Sequence, residues 1–141
     1  MATWTAENVE KGAKQSKVVA DGLYRTQIVQ YAGASGDFNP LHTDEPFATI
    51  AAGNPSTFAH GMLTMGMTGK MLTDWVGADR VTLFGGRFTS QVWPGDTLRA
   101  VATVEAIREE DGEHFVDLAI STTNQDGREV FSGRASARID A

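Results

Sequence analysis

Three strand-like segments near the C-terminus, joined by two tight turns, restrict this chain more than any other feature. Residues 97–107, 114–123 and 129–139 are separated by Glu109-Glu-Asp-Gly112-Glu and by Asn124-Gln-Asp126-Gly127. Asp-Gly between such segments is a hairpin signal, and hairpin-linked strands pair antiparallel. Residues 83–93 predict a further strand, with Phe84, Phe88 and Val92 on one face and Arg87, Thr89 and Gln91 on the other. Residues 13–20 predict another. Ahead of the sheet, the pattern predicts a helix from Pro55-Ser56 to about Val76. It carries Phe58, Met62, Leu63, Met65, Met67, Met71, Leu72 and Trp75, apolar nearly all round, which predicts a buried helix. Gly61, Gly66 and Gly69 lie within it. Each glycine costs about 1 kcal/mol against alanine in a helix interior, so close approach of the sheet is expected there. One buried helix with an antiparallel sheet is α+β. No linker, repeat or low-complexity segment divides the 141 residues, so a single domain over 1–141 is expected.

The N-terminal half holds the candidate chemistry. Residues up to about Gly12 are expected to be peripheral. Thr26 is the expected N-cap of a short helix whose apolar side carries Ile28, Val29, Tyr31 and Ala32, ending at Ser35-Gly36. Asp44 is the expected N-cap of a second short helix, ahead of Glu45 and Pro46 and ending near Gly53. Between them, Asp37 and His42 are five residues apart. On an α-helix they would point about 140° apart. Pro40 forbids a helix there, because it lacks an N–H and pushes Asn39 out of the α region. A turn can instead fold the carboxylate and the imidazole toward one point, where they could hold a water between them. Asp and Asn also stabilise turns through their own backbone, so a lone Asp-x-Asn-Pro can equally be structural.

The string Tyr31-Ala-Gly-Ala-Ser35-Gly36-Asp37-Phe-Asn39-Pro40-Leu41-His42, with Ala48 beyond it, resembles the hydratase motif of the R-specific enoyl-CoA hydratases and MaoC-like dehydratases. Phe58-Ala59-His60-Gly61-Met62 is similar to the start of that family's central helix, and Val92-Trp93-Pro94-Gly95-Asp96 to the turn before its next strand. The resemblance runs from about Val9 to the C-terminus. It implies a hot-dog fold, an antiparallel sheet wrapped around the long helix. It also implies reversible hydration of trans-2-enoyl thioesters, or dehydration of (3R)-hydroxyacyl thioesters, on CoA or acyl carrier protein. A dimer is implied too, either with itself or with a related hot-dog subunit. Some relatives pair with a subunit lacking the catalytic residues, and this chain, having both, would be the active partner.

On this reading Asp37 and His42 contact the catalytic water. Asn39 shapes the turn, with Ser35 beside it. Gly61 is the oxyanion candidate through its backbone N–H, since a helix N-terminus has unpaired donors and glycine lets a ligand approach. Gly61 could alternatively serve helix–sheet packing alone. His60 is expected to cap or orient the helix start, with Met62 also shaping the site. One face of the Met-rich helix could line an acyl tunnel, though core packing is the commoner use. Arg87 is expected to be solvated, and His114 likewise.

Other chemistries lack their signatures. Without cysteine there is no disulfide, thiolate ligand or Cys nucleophile. The three histidines show no metal-ligand spacing, so no metal is expected. Gly33-Ala-Ser-Gly-Asp37 departs from the Gly-x-Ser-x-Gly elbow, Gly69-Lys70 from the P-loop, and no Gly-x-Gly-x-x-Gly occurs. No cofactor is expected beyond the thioester carrier. A net charge of −6 without a Lys/Arg run disfavours nucleic acid. No apolar run is long enough to span a bilayer, and no secretory signal is evident, so a cytoplasmic location is expected. The alternatives to a hydratase are a non-catalytic acyl-thioester-binding subunit and a hot-dog thioesterase. The latter has no motif support.

Overall fold

The computed structural model describes residues 4–141. Met1, Ala2 and Thr3, part of the segment expected to be peripheral, lie outside the described residues. In chain order the elements are β1 (Lys14–Ala20), α1 (Arg25–Ser35), a π-helical turn (Phe47–Ala51), α2 (Gly61–Val76), β2 (Val81–Phe88), β3 (Leu98–Glu110), β4 (Glu113–Thr123) and β5 (Glu129–Ile139). The sheet order is β1-β3-β4-β5-β2 and every pairing is antiparallel. The β3–β4 hairpin turns through Asp111 and Gly112, with φ of 53° and 80°. Positive φ at both central residues matches the right-handed twist of the flanking strands.

One face of the sheet covers α2. Leu98, Ala100, Ala102 and Val104 of β3, Val116, Leu118 and Ile120 of β4, and Ala135, Ala137 and Ile139 of β5 alternate into the interior. Met71, Leu72 and Trp75 of α2 complete that core. Alanines at its centre leave room for the helix. Register shifts leave Glu105 of β3 and Val130 of β5 as extra residues in their ladders, and such bulges bend the strand that carries them.

The helix glycines divide. A Cβ on Gly61 would lie 2.6 Å from the Phe88 ring, and one on Gly69 2.9 Å from the Phe84 ring. Close approach of β2 therefore accounts for both. At Gly66 nothing lies within 4 Å, so packing does not explain it. The helix is also not enclosed all round: Met62 is 54% exposed, and Gly66, Lys70 and Asp74 face outward.

Several boundaries differ from expectation. Tyr24, not Thr26, is the N-cap of α1, and Val29 turns to solvent while Ile28 and Ala32 are buried. Helix α2 begins at Gly61 rather than at Pro55. The fixed φ of proline suits extended chain as well as a first helical turn. Residues 55–60 stay outside the helix, bending at 55–56, with Phe58 N–H donating to Leu41 O and Ala59 N–H to Val92 O. β2 ends at Phe88, short of the expected 93, and Val92 O pairs with Ala59 rather than with a strand. The N-terminal segment is less peripheral than expected. Trp4 packs edge-on against Trp75 at 4.1 Å, Val9 is buried, and Ala6 N–H donates to Asp140 O at 2.7 Å.

Candidate active site

Helix α1 stops at Gly36, whose φ of 75° reverses the chain and whose N–H returns to Ala32 O. The next residues form a chain of side-chain-to-backbone turns. Asp37 N–H donates to Ser35 Oγ at 3.1 Å, Asn39 N–H to Asp37 Oδ1 at 3.2 Å, and Leu41 N–H to Asn39 Oδ1 at 3.0 Å. Short polar side chains compete with regular structure in this way. Ser35 and Asn39 therefore shape the loop, and Asn39 is exposed. Asp44 caps the next turn as expected, accepting from Phe47 N–H at 3.2 Å. Across the loop, Glu45 receives Arg25 at 2.6 Å and Thr57 N–H at 3.2 Å, tying α1 to residues 55–60.

This loop brings Asp37 and His42 together, with His60 from the head of α2. One donor atom from each lies within 4.8 Å of the others. The His42 and His60 rings stack at 3.8 Å and 28°, and Tyr31 meets the His60 edge at 4.8 Å. Both tautomers follow from their partners. His42 Nδ1 is 2.7 Å from Phe58 O, and His60 Nε2 is 2.9 Å from Asp37 O. A carbonyl only accepts, so these two nitrogens carry hydrogen. The neutral His42 ring thus keeps its lone pair on Nε2, as a general base requires. In these tautomers the trio's free lone pairs are those of the Asp37 carboxylate, His42 Nε2 and His60 Nδ1, since the bonded nitrogens offer hydrogens. Burial lowers the pKa of His42 below its ordinary value. The Phe58 carbonyl opposes that shift, His60 adds to it and Asp37 opposes it.

Gly61 opens α2, and among the described residues its N–H has no acceptor. It lines a cavity of about 380 Å³ with Phe58, Ala59, Thr64, Phe88 and Val92. Asp37, His42 and His60 are not part of that lining, and neither is Met62, expected to shape the site and half exposed. The Val92–Asp96 turn is a structural brace. Buried Asp96 accepts from Trp93 N–H at 2.9 Å and from Gln125 at 3.0 Å.

A model of the MaoC-like domain matches residues 5–125. The chain belongs to the MaoC-like family. Over 70 residues this MaoC-like domain is 46% identical to 3-hydroxyacyl-thioester dehydratase Y of Mycobacterium tuberculosis, covering 48% of this chain and 24% of that protein. Over 101 residues it is 40% identical to enoyl-CoA hydratase ChsH3 of the same organism, covering 70% of this chain and 32% of that protein. The chain thus spans a quarter to a third of the length of these curated relatives. Among solved structures, the (R)-hydratase from A. caviae involved in PHA biosynthesis superposes with a TM-score of 0.83 at 25% identity, covering 95% of this chain and 99% of that one. The fold is the hot-dog fold.

Two contributors were not visible in the sequence. The Phe58 carbonyl orients His42, yet Phe58 reads as helix core by its apolar spacing. Phe88 lies over Gly61, yet reads only as a strand residue. The close pairing of a glycine with an aromatic from a different element has no local signature.

Proposed function

We propose that this MaoC-like protein is a hydro-lyase acting on acyl thioesters, adding water to a trans-2-enoyl thioester to give the (3R)-hydroxyacyl thioester, and the reverse. One observation carries the reading. The Asp37 carboxylate and the His42 ring converge, with the His42 lone pair at Nε2, beside a helix that opens on an unpaired Gly61 N–H. The names of the relatives support it, as does the (R)-hydratase neighbour.

The atoms balance without a cofactor. Asp37 and His42 hold the water; its oxygen bonds to C3 as one O–H bond breaks. The released proton reaches C2 through the same pair, and the C2=C3 π electrons form the new C2–H bond. Charge gathering on the thioester oxygen meets the Gly61 N–H, a preorganised donor at the positive end of a helix. The reverse reaction uses the same groups. The carrier is CoA or acyl carrier protein, the working form is a dimer with itself or with a related hot-dog subunit, and the location is the cytoplasm. Among the described residues, no helix is long and apolar enough to cross a membrane.

The test is crotonyl-CoA hydration, followed by loss of the conjugated double bond, in Asp37→Asn and His42→Ala. General acid–base groups contribute roughly 10²–10⁴-fold, so each variant should lose at least about 100-fold while remaining folded. Parental turnover in both sinks the proposal. Thioester binding without turnover by the parent would make the chain a non-catalytic subunit, and release of free thiol would make it a thioesterase.

A further inference from the structure

The loop that carries Asp37 and His42 is held together mostly by itself. Its bonds from Ser35, Asp37 and Asn39 all run two residues along the chain, and Asp37, Phe38 and Asn39 are exposed. Such bonds set the shape of a turn but not its position against the rest of the molecule. Position comes from the extended residues just ahead of α2. Phe58 N–H donates to Leu41 O at 3.3 Å and Phe58 O accepts from His42 at 2.7 Å, both at the His42 end. Among the described residues the Asp37 end has one such attachment, His60 Nε2 to Asp37 O at 2.9 Å.

His60 is suited to that task. It is 2% exposed, its ring stacks on His42 and touches Tyr31, and the next residue is Gly61. It therefore connects the Asp37 backbone, the His42 imidazole and the helix head. Its other nitrogen, Nδ1, is buried without a hydrogen-bond partner among the described residues. A half-satisfied buried imidazole is unfavourable, and a buried polar group left unsatisfied calls for an explanation beyond packing.

We infer that His60 is a positioning residue for the hydration, its Nε2–H holding the Asp37 backbone so that the carboxylate stays in register with His42 and the Gly61 amide. This rests on the reading of Asp37 and His42 given above. His60 need not touch substrate or exchange a proton.

Gln and Met have nearly the same length and volume, but only Gln can donate to the Asp37 carbonyl. His60→Gln and His60→Met therefore share any repacking defect and differ in the proposed bond. A displacement of about 1 Å at a reacting group can cost roughly 10²-fold in rate. With crotonyl-CoA, kcat of His60→Met should fall by about 10- to 100-fold against His60→Gln, with KM values within about threefold, because positioning acts on the reacting groups and not on ligand binding. Equal kcat in the two folded variants overturns the inference. If Asp37→Asn is inactive in the same assay, that result leaves the active-site reading standing. If Asp37→Asn is fully active, the active-site reading itself falls. Nitrogen-detected NMR of the parent protein gives an answer that needs no variant to fold: His60 must be the Nε2–H tautomer, and the Nδ1–H tautomer overturns the inference.

Discussion

Gly61→Ala should separate activity from stability, because the added methyl meets a movable ring and sits beside the proposed oxyanion amide. The new Cβ would lie 2.6 Å from Cδ2 of Phe88 and 2.8 Å from two further ring atoms. Contacts that short cannot persist, so the ring must swing. Phe88 ends β2 and is 48% exposed, so it forfeits about half of the roughly 1.5–3 kcal/mol that full burial of such a side chain provides. At the first position of α2 alanine returns only part of the about 1 kcal/mol that it gains over glycine in a helix interior. The net loss is about 1 kcal/mol, so the melting temperature should fall by only a few degrees. Activity should behave differently. The methyl, or the displaced ring, occupies the space beside the Gly61 N–H in the cavity that both residues line. Loss of one oxyanion donor costs about 10²–10³ in kcat. Thermal melts and steady-state crotonyl-CoA kinetics on the same preparation make the comparison. Parental kcat in a folded Gly61→Ala protein would refute the oxyanion role and leave Gly61 as a packing glycine.

Gly66→Ala makes the opposite control: with nothing within 4 Å of the added Cβ, it should stabilise by up to about 1 kcal/mol in denaturant titration and leave kcat unchanged. Thr68 and Thr122 are both fully buried and share a hydroxyl bond of 2.8 Å. Thr68→Val should cost about 1–3 kcal/mol by stranding the Thr122 hydroxyl, whereas Thr68→Val with Thr122→Val should cost less than the two single changes summed, measured as a double-mutant cycle. His42 must be neutral to accept a proton, and its pKa lies below the ordinary 6.5. The acid limb of kcat/KM should therefore have its midpoint below 6.5. In the window just under 6.5 the unfolded chain binds the proton that folded His42 resists. The contribution of His42 to stability is thus present above that window and declines as pH falls through it. An acid limb above 6.5 would refute the assignment of His42 as the base.

What could be read from the sequence was what repeats locally. Strand β5 runs over the expected 129–139 and β4 starts one residue earlier than expected, because alternation and Asp-Gly turns are short-range signals. Asp37 and His42 were legible for the same reason, since Pro40 forbids the helix that would separate them. Their supports were not. Phe58 O comes from 16 residues beyond His42, and His60 from 23 beyond Asp37. Such partners are set by where α2 docks, and no local pattern encodes that. The glycines of α2 were legible as a group and misleading one by one: Gly61 and Gly69 face rings from β2, while Gly66 faces open space.

The start of α2 joins these observations. A helix beginning at Pro55, as the apolar pattern suggests, would direct Phe58 O to the N–H of Met62 and the Gly61 N–H to Thr57 O, through i→i−4 bonding. The first would deprive His42 of the acceptor that fixes its tautomer, and the second would remove the proposed oxyanion donor. By staying outside the helix through residue 60, the chain leaves Phe58 O for His42, at 2.7 Å, and makes Gly61 the first helical residue with its N–H unpaired. Thr57 supports that choice. It is β-branched and buried, its N–H donates to Glu45 and its hydroxyl accepts from Arg25 at 2.7 Å. These bonds fix its backbone outside the helix. The six residues, 55–60, that an apolar count would add to α2 are therefore the ones whose backbone groups orient His42 and leave the Gly61 N–H unpaired, so lengthening the helix would abolish the proposed site even with Asp37, His42 and Gly61 all in place.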